Sequence, residues 1–218
     1  MNTDPKNKKE NAYLFGQSIG SQLSQMVGNM EQHFFSGDST WHINKKLFYA
    51  GIANALLDKD LVINKEEAGI LANTVGEKIK KASLEKQYAE VKKENADFLT
   101  ENAKKEDVVT LENGLQYKVI TEGTGPKPVA TDKVKVHYHG TNINGDVFDS
   151  SVDRGEPAEF PLNGVIRGWT EGLQLMPVGS KYILYVPYDL AYGEQGSGNK
   201  ISPFATLIFE VELLEIVK

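Results

Sequence analysis

Val134-Lys135-Val136-His137-Tyr138-His139-Gly140 is followed by Asn144-Gly145-Asp146-Val147-Phe148-Asp149-Ser150-Ser151, and then by Val165-Ile166-Arg167-Gly168-Trp169. The first run alternates apolar and polar residues, which puts Val134, Val136 and Tyr138 on one strand face and Lys135, His137 and His139 on the other. Tyr138 should therefore point inward. Asn144-Gly145 is the signature of a two-residue type I′ hairpin with positive φ at both positions, so Val147-Phe148-Asp149 should return beside the first strand. A Tyr, a Phe and an Asp then meet on one sheet. Trp169 should open a short helix stopped by Pro177-Val178-Gly179, and residues 182–186 read as another strand. The expected product is an aromatic-lined hollow in a curved sheet.

Around this stretch the pattern is that of an antiparallel sheet. Glu112-Asn113-Gly114 makes a turn into a strand over 115–120, Gly123-Thr124-Gly125-Pro126 is a loop, and a last strand over 206–217 can wrap the Trp169 helix. The glycine-rich segment 193–200 follows no strand-to-helix pattern. It reads as a surface loop and not as a phosphate cradle.

The chain has 218 residues and can bury a full core as one large domain or as two small ones. It has no cysteine, so disulfides are excluded. A net charge of −6 and a pI near 5.3 argue against nucleic acid or an anionic membrane as the main partner, since either favours a basic face. No apolar run approaches the roughly 20 residues of a membrane helix. The polar opening Met1-Asn2-Thr3-Asp4-Pro5-Lys6-Asn7-Lys8-Lys9-Glu10 leads into no apolar segment of the signal-peptide kind. The expected location is cytoplasmic, and periplasmic only if a signal peptide has been removed.

The amino-terminal half reads as helical. Ala12, Phe15, Ile19, Leu23, Met26, Val27 and Met30 recur at three and four, an amphipathic helix over 11–30. Gly16 and Gly20 lie on or beside that stripe, and each costs about 1 kcal/mol of helix propensity relative to alanine. Close approach of another backbone would compensate. After the turn-like Ser36-Gly37-Asp38-Ser39, a second helix carries Ile43, Leu47, Ala50, Ala53 and Leu57 on one face. Two short helices cannot hide such a surface by themselves. Self-association through Phe15, Gly16, Ile19, Gly20, Leu23, Met26 and Leu47 would hide it.

Asn64 can cap a third helix, with Glu67 closing the capping box. No proline stops it before about residue 105, so the pattern predicts one unbroken helix of roughly 60 Å. Its first half carries Ala68, Leu71, Val75 and Ile79 at helical spacing. Its second half crowds charge around isolated Tyr88, Val91, Phe98 and Leu99, as expected of a solvated arm bridging two domains. The expected division is a helical dimerisation domain over 1–63, a connecting helix over 64–106 whose first part packs on it, and a sheet domain over 107–218.

The hollow lacks the parts for ordinary acid–base or nucleophilic work. Asp149 has no relay of His, Ser or second carboxylate beside it, and no Cys nucleophile exists. His137 and His139 share a strand face, but no third ligand accompanies them. No metal and no cofactor is expected.

The segments Val136-His137-Tyr138, Val147-Phe148-Asp149-Ser150-Ser151, Gly164-Val165-Ile166-Arg167-Gly168-Trp169, Ala191-Tyr192-Gly193 and Thr206-Leu207-Ile208-Phe209-Glu210-Val211-Glu212-Leu213-Leu214 occur in an order that strongly resembles the FKBP-type peptidyl-prolyl cis/trans isomerases. What precedes them looks like the dimeric bacterial Mip-like branch and its cytoplasmic relatives. The resemblance implies an α+β fold in which an antiparallel sheet wraps a short helix, behind an all-α dimerisation domain and a long linking helix. It implies Trp169 as the pocket floor, with Tyr138, Phe148, Phe160, Val165, Ile166, Ile201 and Phe209 around the proline ring. It further implies that the Ile166 N–H and the Tyr192 hydroxyl bind substrate carbonyls, while Asp149, held by Arg154, sits beside the twisting carbonyl. Ala158, His139 after Tyr138, and Ser202-Pro203 depart from the family's commonest pattern, and they bear on pocket width and loop stiffness.

Two functions compete at this point. One is a homodimeric, V-shaped isomerase that speeds X-Pro isomerisation in unfolded or partly folded proteins, with chaperone-like client binding; the resemblance implies inhibition by tacrolimus and rapamycin. The other is a non-catalytic proline-binding chaperone or holdase module. Asp149 and Tyr192 beside intact aromatics favour the first, and apolar surface not consumed by dimerisation would favour the second.

Overall fold

The structure is a computed structural model that describes residues 5–34, 43–57, 59 and 65–217. It is α+β, in two compact units, Met1–Ser83 and Leu84–Lys218. The first holds α1 (Pro5–Phe34), α2 (Lys45–Leu56) and most of α3 (Lys65–Gln87). Asn44 caps α2, its side-chain oxygen accepting from the Leu47 N–H at 3.1 Å. Glu31 on α1 ties the start of α2 down by accepting from the Ile43 N–H and pairing with Lys45, both at 3.1 Å. The turn expected at residues 36–39, the cap at Asn64, and the side chains of Met30, Ala68, Leu71, Val75 and Ile79 lie outside the described residues.

Within this single chain the expected self-association stripe is open. Phe15 and Leu47 are 70% and 69% exposed, Ile19 and Met26 are exposed as well, and Leu23 is half-buried. A Cβ built on Gly16 or Gly20 meets nothing within 4 Å. Among the described residues no helix is long and apolar enough to cross a membrane.

The second unit differs from the expected pattern at its start. In place of one unbroken helix there are α3 and α4 (Ala89–Asn102), parted at Tyr88, whose backbone (φ −109°, ψ 20°) leaves the helical region. Nor is α4 a solvated arm. Buried Asn95 bridges Val91 O and the Thr206 N–H (2.8 and 2.7 Å), and buried Asn102 donates to Gln116, which in turn donates to Leu99 O. Phe98 packs on Tyr185 at 6.1 Å between ring centres. These amides satisfy each other and the main chain, so burying them leaves no orphaned group.

The sheet is antiparallel, built from β1 (Val109–Thr110), β2 (Gln116–Thr121), β3 (Lys133–Thr141), β4 (Val147–Ser150), β5 (Ala158–Pro161), β6 (Lys181–Val186) and β7 (Leu207–Val217). Its order is β1-β2-β6-β7-β3-β4, with β5 also on β3. β3 alternates as its sequence predicts: Val134, Val136 and Tyr138 are buried, and Lys135, His137 and His139 are not. The β3–β4 connection is not the expected two-residue turn. Only Gly145 takes positive φ (88°), the register shifts after Gly140, and the Asn142 side chain accepts from the N–H groups of Asn144 and Asp146. Main-chain bonds close the loop, from the Gly145 N–H to Asn142 O at 3.1 Å and from the Asn142 N–H to Asp146 O at 3.0 Å, and the Asn142 side chain reinforces them.

One edge of β3 is shared by β4 and β5, which leaves a gap between them. α5 (Ser151–Arg154) fills it, capped by the Ser150 hydroxyl and ended by Gly155 in the left-handed region. Fully buried Ser151 accepts from the Tyr138 N–H at 2.8 Å and donates to Tyr138 O at 3.3 Å, replacing the ladder bonds lost at the gap.

α6 (Arg167–Leu173) lies on the opposite face of the sheet from α4, since successive residues of β6 alternate: Leu184 faces α6 and Tyr185 faces α4. Two glycines let it approach. A Cβ on Gly168 would stand 2.3 Å from Val186 Cγ1, and one on Gly172 would stand 2.8 Å from Leu184 Cδ1. Both partners are fully buried, so neither can move aside cheaply. Gly168→Ala should therefore destabilise the protein by about 1–3 kcal/mol, read as a lower denaturation midpoint. An unchanged midpoint would mean that the helix can lift without cost.

Candidate functional site

Four of the aromatic rings meet Trp169 or one another edge-on above α6. Trp169 is buried, and its ring centre lies 5.2 Å from Tyr138, 5.5 Å from Phe160 and 5.2 Å from Phe209, at interplanar angles of 85°, 88° and 76°. Phe148 meets Phe209 the same way at 5.4 Å. Edge-to-face contacts of this kind are each worth about 0.5–1.5 kcal/mol beyond the area they bury, so the rings hold one another in place. Gly140 sits beneath two of them. A Cβ there would come within 2.8 Å of the Phe148 ring and 3.0 Å of Phe209.

These rings line a cavity of about 690 Å³, together with Asp149, Val165, Ile166, Tyr192 and Ile201. The structure thus brings together every residue expected to line the hollow. Arg154 stands behind the wall, where it bonds Asp149 Oδ1 and donates to the Tyr138 hydroxyl at 2.9 Å. α5 delivers it there, five residues after Asp149. The sequence reading missed Gly164 and the segment Ser197-Gly198-Asn199-Lys200, which form part of the lining. Their glycine content signalled a loop, but nothing local says that a loop will fold over a cavity. It does so because Ser197 and Ile201 exchange backbone bonds (2.9 and 3.1 Å) and Lys200 Nζ donates to Phe148 O at 3.1 Å.

One carboxylate faces this apolar space. The Tyr138 hydroxyl donates to Asp149 Oδ2 at 2.5 Å while Arg154 occupies Oδ1. Partial burial pushes the Asp149 pKa up, but the bonds from Tyr138 and Arg154 outweigh it and hold the group below the usual carboxylate range. Burial, and then the bond to Asp149, push the Tyr138 hydroxyl above its ordinary value. Asp149 is therefore an ionised, fixed acceptor with both oxygens engaged, unsuited to donating a proton near neutrality.

Two further hydrogen-bonding groups border the cavity. Among the described residues the Ile166 N–H meets no backbone acceptor, for Ile166 is extended (φ −58°, ψ 148°) just before α6. The Tyr192 hydroxyl belongs to a side chain 43% exposed. On the other face of β3, His137 and His139 bond the hydroxyls of Ser151 and Ser150 at 3.2 and 3.0 Å.

Comparison with known proteins accounts for nearly the whole chain. Residues 125–214 match the family model described as FKBP-type peptidyl-prolyl cis-trans isomerase, and residues 8–119 match the one described as the domain amino terminal to it. The FKBP-type 22 kDa peptidyl-prolyl cis-trans isomerase of Escherichia coli is 52% identical over 200 residues, 92% of this chain and 97% of that protein. FkpA of Aeromonas hydrophila is 44% identical over 214 residues, 97% of this chain and 77% of its own length. The outer membrane protein MIP of Legionella longbeachae is 41% identical over 81% of this chain and 77% of its own. The crystal structure of Escherichia coli FkpA aligns over 99% of this chain and 98% of its own, with a TM-score of 0.60 at 34% identity.

Replacing either wall residue tests the assignment. Asp149→Ala and Phe148→Ala should each lower kcat/KM on an X-Pro tetrapeptide about tenfold or more, a change of roughly 1.4 kcal/mol or more in the barrier, with the far-ultraviolet spectrum unchanged. Because the Asp149 pKa is lowered in the folded protein, the carboxylate stays ionised throughout the neutral and mildly acid range, and its part in the rate is lost only as pH falls through that lowered value. The rate should stay flat from pH 8 to 5. A titration centred at pH 6 to 7, or full activity in either variant, would overturn this assignment.

Proposed function

The chain belongs to the FKBP-type peptidyl-prolyl cis-trans isomerases, in their Mip and FkpA branch, and from that membership we propose how its residues divide the work. The proline ring enters the cavity and rests on Trp169, between Tyr138, Phe160, Phe209 and Phe148, with Val165, Ile166 and Ile201 completing the walls. The observation that carries this reading is a cage of edge-on aromatic rings around a cavity with one fixed carboxylate at its side.

The chemistry asks for little more. An amide resists rotation by about 18–20 kcal/mol through its partial double bond, and X-Pro bonds turn over unaided in roughly 10–100 s. An apolar cavity disfavours the charge-separated resonance form of the planar amide and accepts the twisted bond better. A turnover of about 10–1000 per second requires lowering the barrier by only about 4–7 kcal/mol. In this reading the Ile166 N–H and the Tyr192 hydroxyl hold the flanking carbonyls of the substrate. Asp149, oriented by Tyr138 and Arg154, faces the carbonyl carbon of the rotating bond, where its charge acts without proton transfer.

A protease-coupled assay on X-Pro peptides should show catalysis abolished by stoichiometric tacrolimus or rapamycin, whose apolar rings would take the same cavity. Catalysis indifferent to both compounds would place the reaction elsewhere.

We also assign the helices of residues 1–63 to homodimerisation and residues 64–106 to the connection between that part and the catalytic one. The exposed run of Phe15, Ile19, Met26 and Leu47, with open space around Gly16 and Gly20, supports this, because a partner helix could lie close to the glycine backbone. Two joined cavities then present themselves to one unfolded client, raising the effective concentration of its prolines near either site. A cytoplasmic site of action accompanies this reading, and cell fractionation decides it. The same apolar run also supports chaperone-like holding of clients if dimerisation leaves part of it uncovered. Gly16→Leu combined with Gly20→Leu should give a monomer by sedimentation, near normal on tetrapeptides yet several-fold slower in refolding a proline-limited protein. A native chain already monomeric, or a monomeric variant that refolds protein as fast, would sink the dimer proposal.

A further inference from the structure

Beside the proline cavity lies a second, smaller one of about 150 Å³, between α4, the β3–β4 loop and the segment that leads into β7. The two share a wall: Phe148, Lys200 and Ile201 line both. Its far side is built from Val91, Glu94 and Asn95 of α4, a helix docked on the sheet by its buried amides.

What this space can hold follows from which of its polar groups are already engaged. Asn95 uses its carbonyl on the Thr206 N–H and its amide on Val91 O. Asn142 accepts twice within its own loop and donates to Asp146, and Lys200 donates to Phe148 O. Glu94, Asn144 and Ser202 stand at exposed positions on its rim, and inside them a visitor meets the apolar surface of Val91, Ile143, Phe148, Ile201 and Leu207. The volume suits one aliphatic or small aromatic side chain and is too small for a second proline-sized peptide unit with its backbone.

We propose that this cavity is a subsite for an apolar side chain of the same client polypeptide, a few residues from the proline held next door. The inference rests on the reading of the larger cavity as the proline site. Continuity through the shared wall is what commits the occupant to the client chain, since a segment leaving the proline cavity over Phe148 and Ile201 arrives at this opening. A tetrapeptide is too short to use both, so the subsite separates short substrates from long ones. α4 thereby becomes a specificity element of the enzyme.

The test compares one tetrapeptide with a set of ten-residue peptides, each with a central Ala-Pro in a Gly/Ser background and one leucine walked through the positions on either side. The intact chain should prefer one leucine position over the leucine-free peptide by about fivefold in kcat/KM, within the range a small apolar contact supplies. Glu94→Trp and, independently, Ser202→Trp place a large ring at the mouth from exposed positions. Each should abolish that preference while leaving tetrapeptide kcat/KM within twofold. Two independent plugs guard against one of them misfolding, and tetrapeptide activity reports folding for both. A leucine scan that is flat in the intact chain, or a preference that survives both plugs, overturns the subsite. Loss of tetrapeptide activity in Phe148→Ala together with a flat scan would overturn the subsite alone, whereas full tetrapeptide activity in that variant would overturn the proline-site reading beneath it.

Discussion

How closely a seven-residue helix can lie against a sheet decides everything else in the catalytic unit. α6 reaches the sheet because Gly168 and Gly172 present bare backbone to Val186 and Leu184. A helix lifted by even one methyl group would raise Trp169 with it. Tyr138, Phe160 and Phe209 all touch that indole edge-on, so their positions would shift together, as dense interiors transmit small displacements. Gly140 makes the matching allowance on β3, where Phe148 and Phe209 converge over a residue without a side chain.

The electrostatics follow the same economy. A single carboxylate faces the cavity, and Tyr138 and Arg154 fix both its oxygens. That arrangement depends on a fault in the sheet. β4 and β5 cannot both continue along β3, and the four residues of α5 inserted between them carry Arg154 back towards Asp149 while Ser151 closes the bonds left open on Tyr138. The same interruption that costs ladder bonds thus builds the side of the cavity. An enzyme that twists an amide needs such a rigid, apolar and asymmetric container more than it needs a titrating group.

The loop over the cavity is held from outside. Phe204 sits in the left-handed region at φ 60°, a conformation that costs a non-glycine residue on the order of 1–3 kcal/mol. It is fully buried, with Tyr188 edge-on at 5.3 Å and the Lys92 ammonium 5.0 Å from its ring centre. Lys92 belongs to α4, as does Asn95, which takes the Thr206 N–H two residues further on. A helix that reads as a connector is thereby bonded to the segment that carries Ile201 and Phe209.

Period and local chemistry made the sheet legible. The alternation of β3, the apolar runs of β6 and β7, and the pairing of Tyr138 with Phe148 and Asp149 all stand in the residues, since a strand's two faces differ in environment and composition records the difference. The docking of α4 was not legible: its contacts run through Asn95, Asn102 and Gln116, and a buried amide with satisfied bonds looks in sequence like a solvated one. The β3–β4 turn escaped because Asn142, outside the Asn-Gly pair, closes it with its main chain as well as its side chain. The 197–200 segment across the cavity escaped because Lys200 ties it to Phe148, a partner distant in sequence. The sequence by itself determined which surfaces are apolar and which strands they lie on; only tertiary structure decided which polar groups are buried together, because hydrogen bonds between remote residues leave no periodic trace.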